Sequence, residues 1–179
     1  MRMAIDLVNA GESHSSLETM DDLSAFLDRH EVRSTRTPIH ADLAQLRRLS
    51  GELREVLGAS RDAAARRVNR ILTESDPCPR LARHGDHDWH LHYDARDGSV
   101  ASMVAARAAM AVACFIRADE LSTVARCSRS GCRAYFVDLS RNRHRRYCSA
   151  RCSNSDAVAA FRTRRASSSA TSSSTPRRG

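Results

Sequence analysis

Lysine is absent from the 179 residues, so arginine supplies every basic side chain apart from histidine. A codon bias toward GC-rich DNA accounts for that trend over the whole chain. The functional alternative is the planar guanidinium fork, which suits phosphate and guanine. Aromatic residues are scarce too, at 4%, which disfavours a β-sandwich and, with abundant Ala, Leu and Arg, favours helices. The most apolar run, residues 108–116, lies between Arg107 and Arg117 and is short for a membrane span, so it reads as a buried helix. "MRMAIDLVNAGE" has too short an apolar stretch for a secretory signal, and Asp6 interrupts it. The expectation is a soluble cytoplasmic protein (nucleoid-associated if it binds DNA) with no membrane partner. Thiols stay reduced there, so clustered cysteines mean metal or redox chemistry rather than disulfides. There is no nucleophile–base arrangement, no Gly-rich phosphate loop and no HExxH helix, so an enzyme is not expected.

What is present falls into two parts. Residues 1–125 read as a helical domain. "AIDLVNAGE" is an apolar start that breaks at Asn9-Ala-Gly11. Thr19, with Asp22 three residues on, caps a helix whose stripe is Leu23, Phe26 and Leu27. Pro38 opens a second, with Ile39, Leu43, Leu46, Leu49, Leu53, Val56 and Leu57 at helical spacing, and Gly58 stops it. Arg61 to Leu72 is a third, with Ala64, Val68, Ile71 and Leu72 facing inward. Residues 80–95 then alternate, with Trp89, Leu91 and Tyr93 on one face and His90 and His92 on the other. That is a β-hairpin with "GD" in its turn. A long apolar helix from Val100 to about Val124 completes the domain as its central element.

The second part, residues 126–165, holds eleven arginines against Asp138 and Asp156, a net of +9. With Arg177 and Arg178 counted, the total of +8 leaves residues 1–125 at −3. A basic module on a mildly acidic domain points to DNA or another polyanion. A solvated surface made basic by codon usage is the bland alternative. Residues 166–179 are Ser-rich and are expected to form a disordered basic tail.

Four cysteines sit in the basic module with the spacing C-x4-C-x15-C-x3-C: Cys127, Cys132, Cys148 and Cys152. Two close pairs joined by such a loop suit a tetrahedral thiolate site, with zinc as the expected ion. Neither pair is C-x-x-C, so a redox pair is not expected. An iron–sulfur cluster needs a similar cysteine count, but a small, arginine-loaded module suits zinc better. Four thiolates would close the coordination sphere, which makes the site structural. Gly131 lets the first pair turn back, "AYFVD" and "RRYC" read as two strands, and Cys148 and Cys152 lie at a helix N-terminus where the dipole favours thiolate. His144 reads as a polar loop residue rather than a substitute ligand. Cys114 reads as core, and Cys78 lacks a partner at ligand spacing. With few large apolar residues, the module should take most of its folding free energy, on the order of 10 kcal/mol, from the metal. The whole is mainly α with a small β-hairpin (α+β): a helical domain followed by a treble-clef-like zinc finger.

"CSRSGCRAYFVDLSRNRHRRYCSARC", followed by a helix ending "FRTRR", resembles the bacterial CGNR zinc-finger family, in which this module follows an N-terminal ABATE domain. "AIDLVNAGE", "LETMDDLSAFL", "LREVLGA" and "RRVNRIL" are similar to the landmarks of that domain, so the resemblance covers roughly residues 4–165. It implies zinc on Cys127, Cys132, Cys148 and Cys152, a DNA-binding module, a ligand-sensing N-terminal domain and stress-induced transcriptional regulation. One departure stands at the motif that names the family. After Cys152 the pattern has Gly-Asn-Arg, whereas this chain has Ser153, Asn154 and Ser155.

Arg141, Arg143, Arg145, Arg146, Arg151, Arg162, Arg164 and Arg165 are the expected phosphate contacts, and Asn154 a base reader. In the first domain, Asp6, Asn9 and Trp89 are candidate ligand-binding residues, with His90 nearby. The bland alternatives are a surface carboxylate, a helix cap and a core anchor. The regulator reading has one rival of a different class, a zinc-stabilised adaptor that docks an acidic protein partner.

Overall fold

The computed structural model describes residues 1–10, 16–83, 88–95 and 98–171. The chain divides into two units, Met1–Val124 and Ala125–Gly179. Among the described residues it is mainly helical, with two small antiparallel hairpins.

The first unit begins with α1 (Arg2–Val8), which buries Ala4, Ile5, Leu7 and Val8 at helical spacing. So short a helix needs tertiary support. Ser50 and Arg54 donate to the carbonyls of Leu7 and Val8, satisfying acceptors that no intrahelical donor reaches. α2 (Met20–Arg29) starts on the expected capping box: Thr19 Oγ1 accepts from the Asp22 amide, and Asp22 Oδ2 accepts from the Thr19 amide. α3 (His40–Leu57) buries Leu43, Leu46, Leu49, Leu53, Val56 and Leu57. Ile39 departs from that stripe. It occupies the N-cap and is 54% exposed, because the first turn has not begun to face the core. α4 (Arg61–Ser75) buries Ala64, Val68 and Ile71 and ends at Asp76, in the left-handed region at φ 40°.

The hairpin pairs β1 (Pro77–Ala82) with β2 (His90–Ala95), in register from Pro77 opposite Ala95 to Ala82 opposite His90. Its expected Gly-Asp turn lies outside the described residues. Trp89 is no core anchor: it is 63% exposed, and its neighbours Leu81 and Leu91 are exposed too.

α5 (Val100–Arg117) packs against α1, α3, α4 and both strands, with Val104, Ala108, Ala109 and Val112 in the centre of the core. By length and composition alone it could cross a membrane, because alanines extend the apolar run on both sides of Arg107. Here it is the packed central helix of the first unit. Ser99 caps it, and Asp42 of α3 ties it in. The Asp42 carboxylate accepts from the amides of Ala101 and Ile39, joining the starts of α5 and α3. The helix stops at Arg117 rather than near Val124, since Asp119 takes a left-handed φ of 59° and a 3-10 turn follows at Leu121–Thr123. Its last turn has left the core, so Cys114 is exposed rather than buried.

β3 (Val124–Arg126) starts on the last residue of the first unit and forms a short hairpin with β4 (Tyr135–Val137) of the second, which then continues into α6 (Ala150–Thr171). α6 continues through the start of the expected disordered tail. Residues 166–171 contain neither Gly nor Pro, so nothing breaks the propagating helix there. The rest of that tail lies outside the described residues.

Candidate metal centre

The two cysteine pairs are delivered by different local structures. Cys127 leaves β3, and its amide extends the hairpin by donating to the Ala134 carbonyl at 2.9 Å. Gly131, at φ 77°, turns the chain so that Cys132 closes a tight loop, its amide donating to Arg129 O. Cys148 precedes α6 and Cys152 sits in its first turn. Ser149 Oγ accepts from the Cys152 amide, an N-cap that fixes both sulfurs at the positive end of the helix.

The expected second strand at residues 145–148 does not form. Its backbone donors and acceptors go elsewhere. The Arg145 amide donates to Asp138 Oδ2, and the Arg146 carbonyl accepts from Ser128. β4 therefore pairs backward with β3, and Asp138 replaces a ladder. Buried Asp138 also accepts from the amide and hydroxyl of Ser140. These bonds, those from Ser140 foremost, hold its carboxyl below the usual range.

All four sulfurs lie within 4.8 Å of one another. Cys132 and Cys148 are 3.9 Å apart, Cys148 and Cys152 3.5 Å, and Cys152 and Cys132 3.9 Å. A tetrahedral zinc with bonds near about 2.3 Å requires sulfur–sulfur edges of about 3.8 Å. The donor set thus fits one four-coordinate ion, and no position is left for a substrate. Burial pushes the Cys148 thiol up to about 12 and raises Cys132 as well. Burial also pushes Cys152 upward, but hydrogen bonds with Ser149, Cys148 and Arg129 outweigh it and leave that thiol at about 7. Four thiols packed so closely do not all ionise without a cation among them. A divalent ion supplies that compensation.

Arg129 is the residue that sequence reasoning missed. Its guanidinium lies against the sulfurs of Cys152 and Cys132, and those contacts raise its own pKa. Four thiolates around a divalent ion carry a net charge of about −2, which this guanidinium offsets. Its place inside the first C-x4-C loop was the available signal. Replacing Arg129 by Ala is expected to weaken metal binding by about 10–100-fold, measured by competition with a chelating dye. Unchanged competition would remove Arg129 from the centre.

The surrounding arginines divide into two groups. Arg145 serves the module itself: its guanidinium donates to the carbonyls of Tyr147 and Cys148 and stacks over Phe136 at 4.8 Å. Arg141, Arg143, Arg146, Arg151, Asn154, Arg162, Arg164 and Arg165 are all exposed. On α6, Arg151, Ser155, Arg162 and Arg165 fall on one face at 100° per residue. Tyr147 donates to Asp156 at 2.6 Å, so the module's two acids, Asp138 and Asp156, are both committed to internal bonds. Ser153 sits inside the first turns of α6, where its amide donates to Ser149 O, so glycine's freedom is not needed there. His144 is exposed and is not in the sulfur cluster.

The candidate ligand residues of the first unit separate. Trp89 and His90 line an open cleft of about 930 Å³, but Asp6 and Asn9 do not. Asn9 is the C-cap of α1. Asp6 Oδ2 instead lies 3.2 Å from Nε2 of His30, and His30 is part of the cleft wall. The His30 contact, together with Arg2 and Arg29, lowers the Asp6 pKa despite its burial. A depressed carboxyl adds stability above its ordinary value, near about 4, and loses it as the pH falls through the folded value. Asp6→Asn is therefore expected to flatten the acid limb of the unfolding midpoint against pH and to leave its shape unchanged near neutrality. A parallel acid limb in the variant would refute this.

A closed four-sulfur centre, built from a turn, a short hairpin and a helix N-terminus, defines a treble-clef-like zinc-finger module behind a helical domain. The chain belongs to the ABATE family, described as "Putative stress-induced transcription regulator", which matches residues 1–130. The CGNR zinc finger matches residues 123–165. Comparison with curated proteins returns no match.

Proposed function

We propose that this chain is a zinc-stabilised, DNA-binding transcriptional regulator whose N-terminal domain responds to a small ligand. Cys127, Cys132, Cys148 and Cys152 hold the zinc, which folds the module and performs no chemistry. The observation that carries the reading is the exposed arginine surface on a module whose own acids are already engaged. Arg141, Arg143 and Arg146 in the loop, and Arg151, Arg162, Arg164 and Arg165 on α6, contact phosphates. Asn154, near the start of that helix, meets a base edge. Arg145 is withdrawn from the contact set, because it holds the knuckle together. The protein acts without catalysis, in the cytoplasm and at the nucleoid.

The test is duplex binding by the zinc-loaded chain over a series of salt concentrations. A steep fall of log K with log salt is expected, with a slope of about −0.9 per phosphate contacted. A flat slope, or no binding at low salt, overturns the reading. A second reading, an adaptor for an acidic protein partner, is favoured by Val158 and Phe161, which stand 50% and 56% exposed among the α6 arginines. Salt-dependent duplex binding separates the two. Enrichment of one motif from a random DNA pool would establish sequence recognition.

A further inference from the structure

α6 is longer than the metal site needs. Cys152 is buried in its first turn, and Asp156, one turn on, accepts from the Tyr147 hydroxyl. Beyond Asp156, residues 157–165 are exposed throughout. At about 1.5 Å per residue that is about 13 Å of helix in water, close to the width of about 12 Å of the DNA major groove.

The side chains along that length are sorted by face. At about 100° per residue, Asn154, Val158, Phe161 and Arg165 fall within about 60° of one another. Arg151, Ser155 and Arg162 occupy the neighbouring sector of about 40°. Ala157 borders the other side, where a methyl group lets a surface approach closely. A surface helix normally turns a Val and a Phe one turn apart onto a core. Here they stand 50% and 56% exposed, with arginines beside them.

Those arginines select an anionic partner, because the acids of the module, Asp138 and Asp156, are engaged internally. The size of the apolar pair selects the kind of anion. A half-exposed Val and Phe offer on the order of 200 Å², against about 800 Å² per partner in a standard protein–protein interface. The major groove asks for less. Its one apolar feature is the C5 methyl of thymine, which a single side chain covers. Asn154, one turn before Val158, carries the amide that pairs bidentately with adenine N6 and N7. From position 154 to 161 the helix rises about 10 Å, which spans about three base-pair steps.

We propose that α6 is a major-groove recognition helix selective for A·T pairs, in which Val158 and Phe161 pack on thymine methyl groups. Asn154 reads an adjacent adenine, and Arg151 and Arg162 meet the phosphates along one side. This rests on the DNA-binding reading and names the base chemistry the module recognises.

The full-length zinc-loaded chain is first used to select duplexes from a random pool, and the enriched motif is expected to contain adenine and thymine. Each thymine of a selected duplex is then replaced by uracil, which removes the 5-methyl group and leaves pairing and charge unchanged. At one or two positions the replacement is expected to lower affinity about three- to tenfold. Val158→Ala and Phe161→Ala are expected to lose a similar factor on the thymine duplex, to bind the matching uracil duplex as the parent chain does, and to keep the parent salt slope. Both side chains are exposed, so the amide spectrum of the second unit should stay native in both variants. Asn154→Ala is expected to relax the choice of base at a neighbouring position. The inference fails if no motif is enriched, if every uracil duplex binds as tightly as its thymine parent, or if both variants keep the thymine preference. Salt-dependent binding without thymine dependence removes this inference alone and leaves the DNA-binding reading standing. No duplex binding at low salt overturns both.

Discussion

Stripping the metal from the full-length protein is expected to unfold the second unit and leave the first standing. The reason is what each unit buries. Among the described residues, and apart from Phe136 and Ala134, the apolar interior of the second unit is made of Cys127, Cys132 and Cys152, with Tyr147 and Cys148 packed against them. Leu139, Val158 and Phe161 are exposed, and Tyr135 and Val137 are only half-buried. An interior that small does not offset the conformational entropy of some forty residues without a staple. Metal binding to four thiolates supplies roughly 10–16 kcal/mol at neutral pH, enough to decide folding outright. The first unit needs no such help: Leu7, Leu23, Leu46, Leu53, Val68 and Val104 are fully buried and belong to five different helices.

The measurement is a set of amide spectra before and after chelation. Resonances of the second unit should collapse toward unfolded positions, and those of Met1–Val124 should stay dispersed. Cys152→Ser should produce the same pattern in the presence of metal, since an isolated hydroxyl is a poor zinc ligand. Cys114→Ser should change neither unit, because that thiol is exposed and outside the cluster. A chelated sample that keeps native shifts in the second unit would sink the claim that metal makes this fold.

Neutralising the loop arginines should produce the largest functional loss. Arg141→Gln, Arg143→Gln and Arg146→Gln together are expected to lower duplex affinity by on the order of a hundredfold or more near physiological salt and to flatten the salt slope by about 2–3. Arg146 stacks over the Tyr147 ring at 5.6 Å, an outer contact that glutamine gives up without touching the four sulfurs, whereas Arg145 is omitted because its guanidinium holds the Tyr147 and Cys148 carbonyls. The complementary change is Ser155→Arg. Position 155 shares a face of α6 with Arg151, Arg162 and Arg165, so an arginine there joins an existing basic stripe. It is expected to raise affinity severalfold and steepen the slope by about 0.9, one phosphate contact. Filter binding or anisotropy over a salt series reads both changes. If the triple variant retains the parent slope, the loop is not the phosphate contact. If Ser155→Arg has no effect, the α6 face is not.

Local patterns carried much of this molecule. The Thr19–Asp22 box, the Leu stripe of α3 and the spacing of the four cysteines each depend on residues a few positions apart. Helical periodicity and ligand spacing act over that range, so they are legible in a string of letters. The charge contrast between the two parts is legible for the same reason, because it is a sum and needs no geometry.

Other features depended on partners distant in sequence. Residues 145–148 look like a strand by composition, but Asp138 and Ser128 take up their backbone groups, so the hairpin partner comes from before Cys127 rather than after the loop. Trp89 and Cys114 have the residue types of a core, and which side of an element meets the interior put them in solvent. Asp6, read as a ligand-binding candidate, became the anchor of His30. The sequence by itself determined the helical class, the four thiolates and the basic surface, because spacing and charge are local quantities. Only the tertiary structure assigned Arg129 to the sulfurs and Arg145 to the knuckle. Each of those roles is set by where a charge comes to rest, and that depends on chain segments brought together by folding.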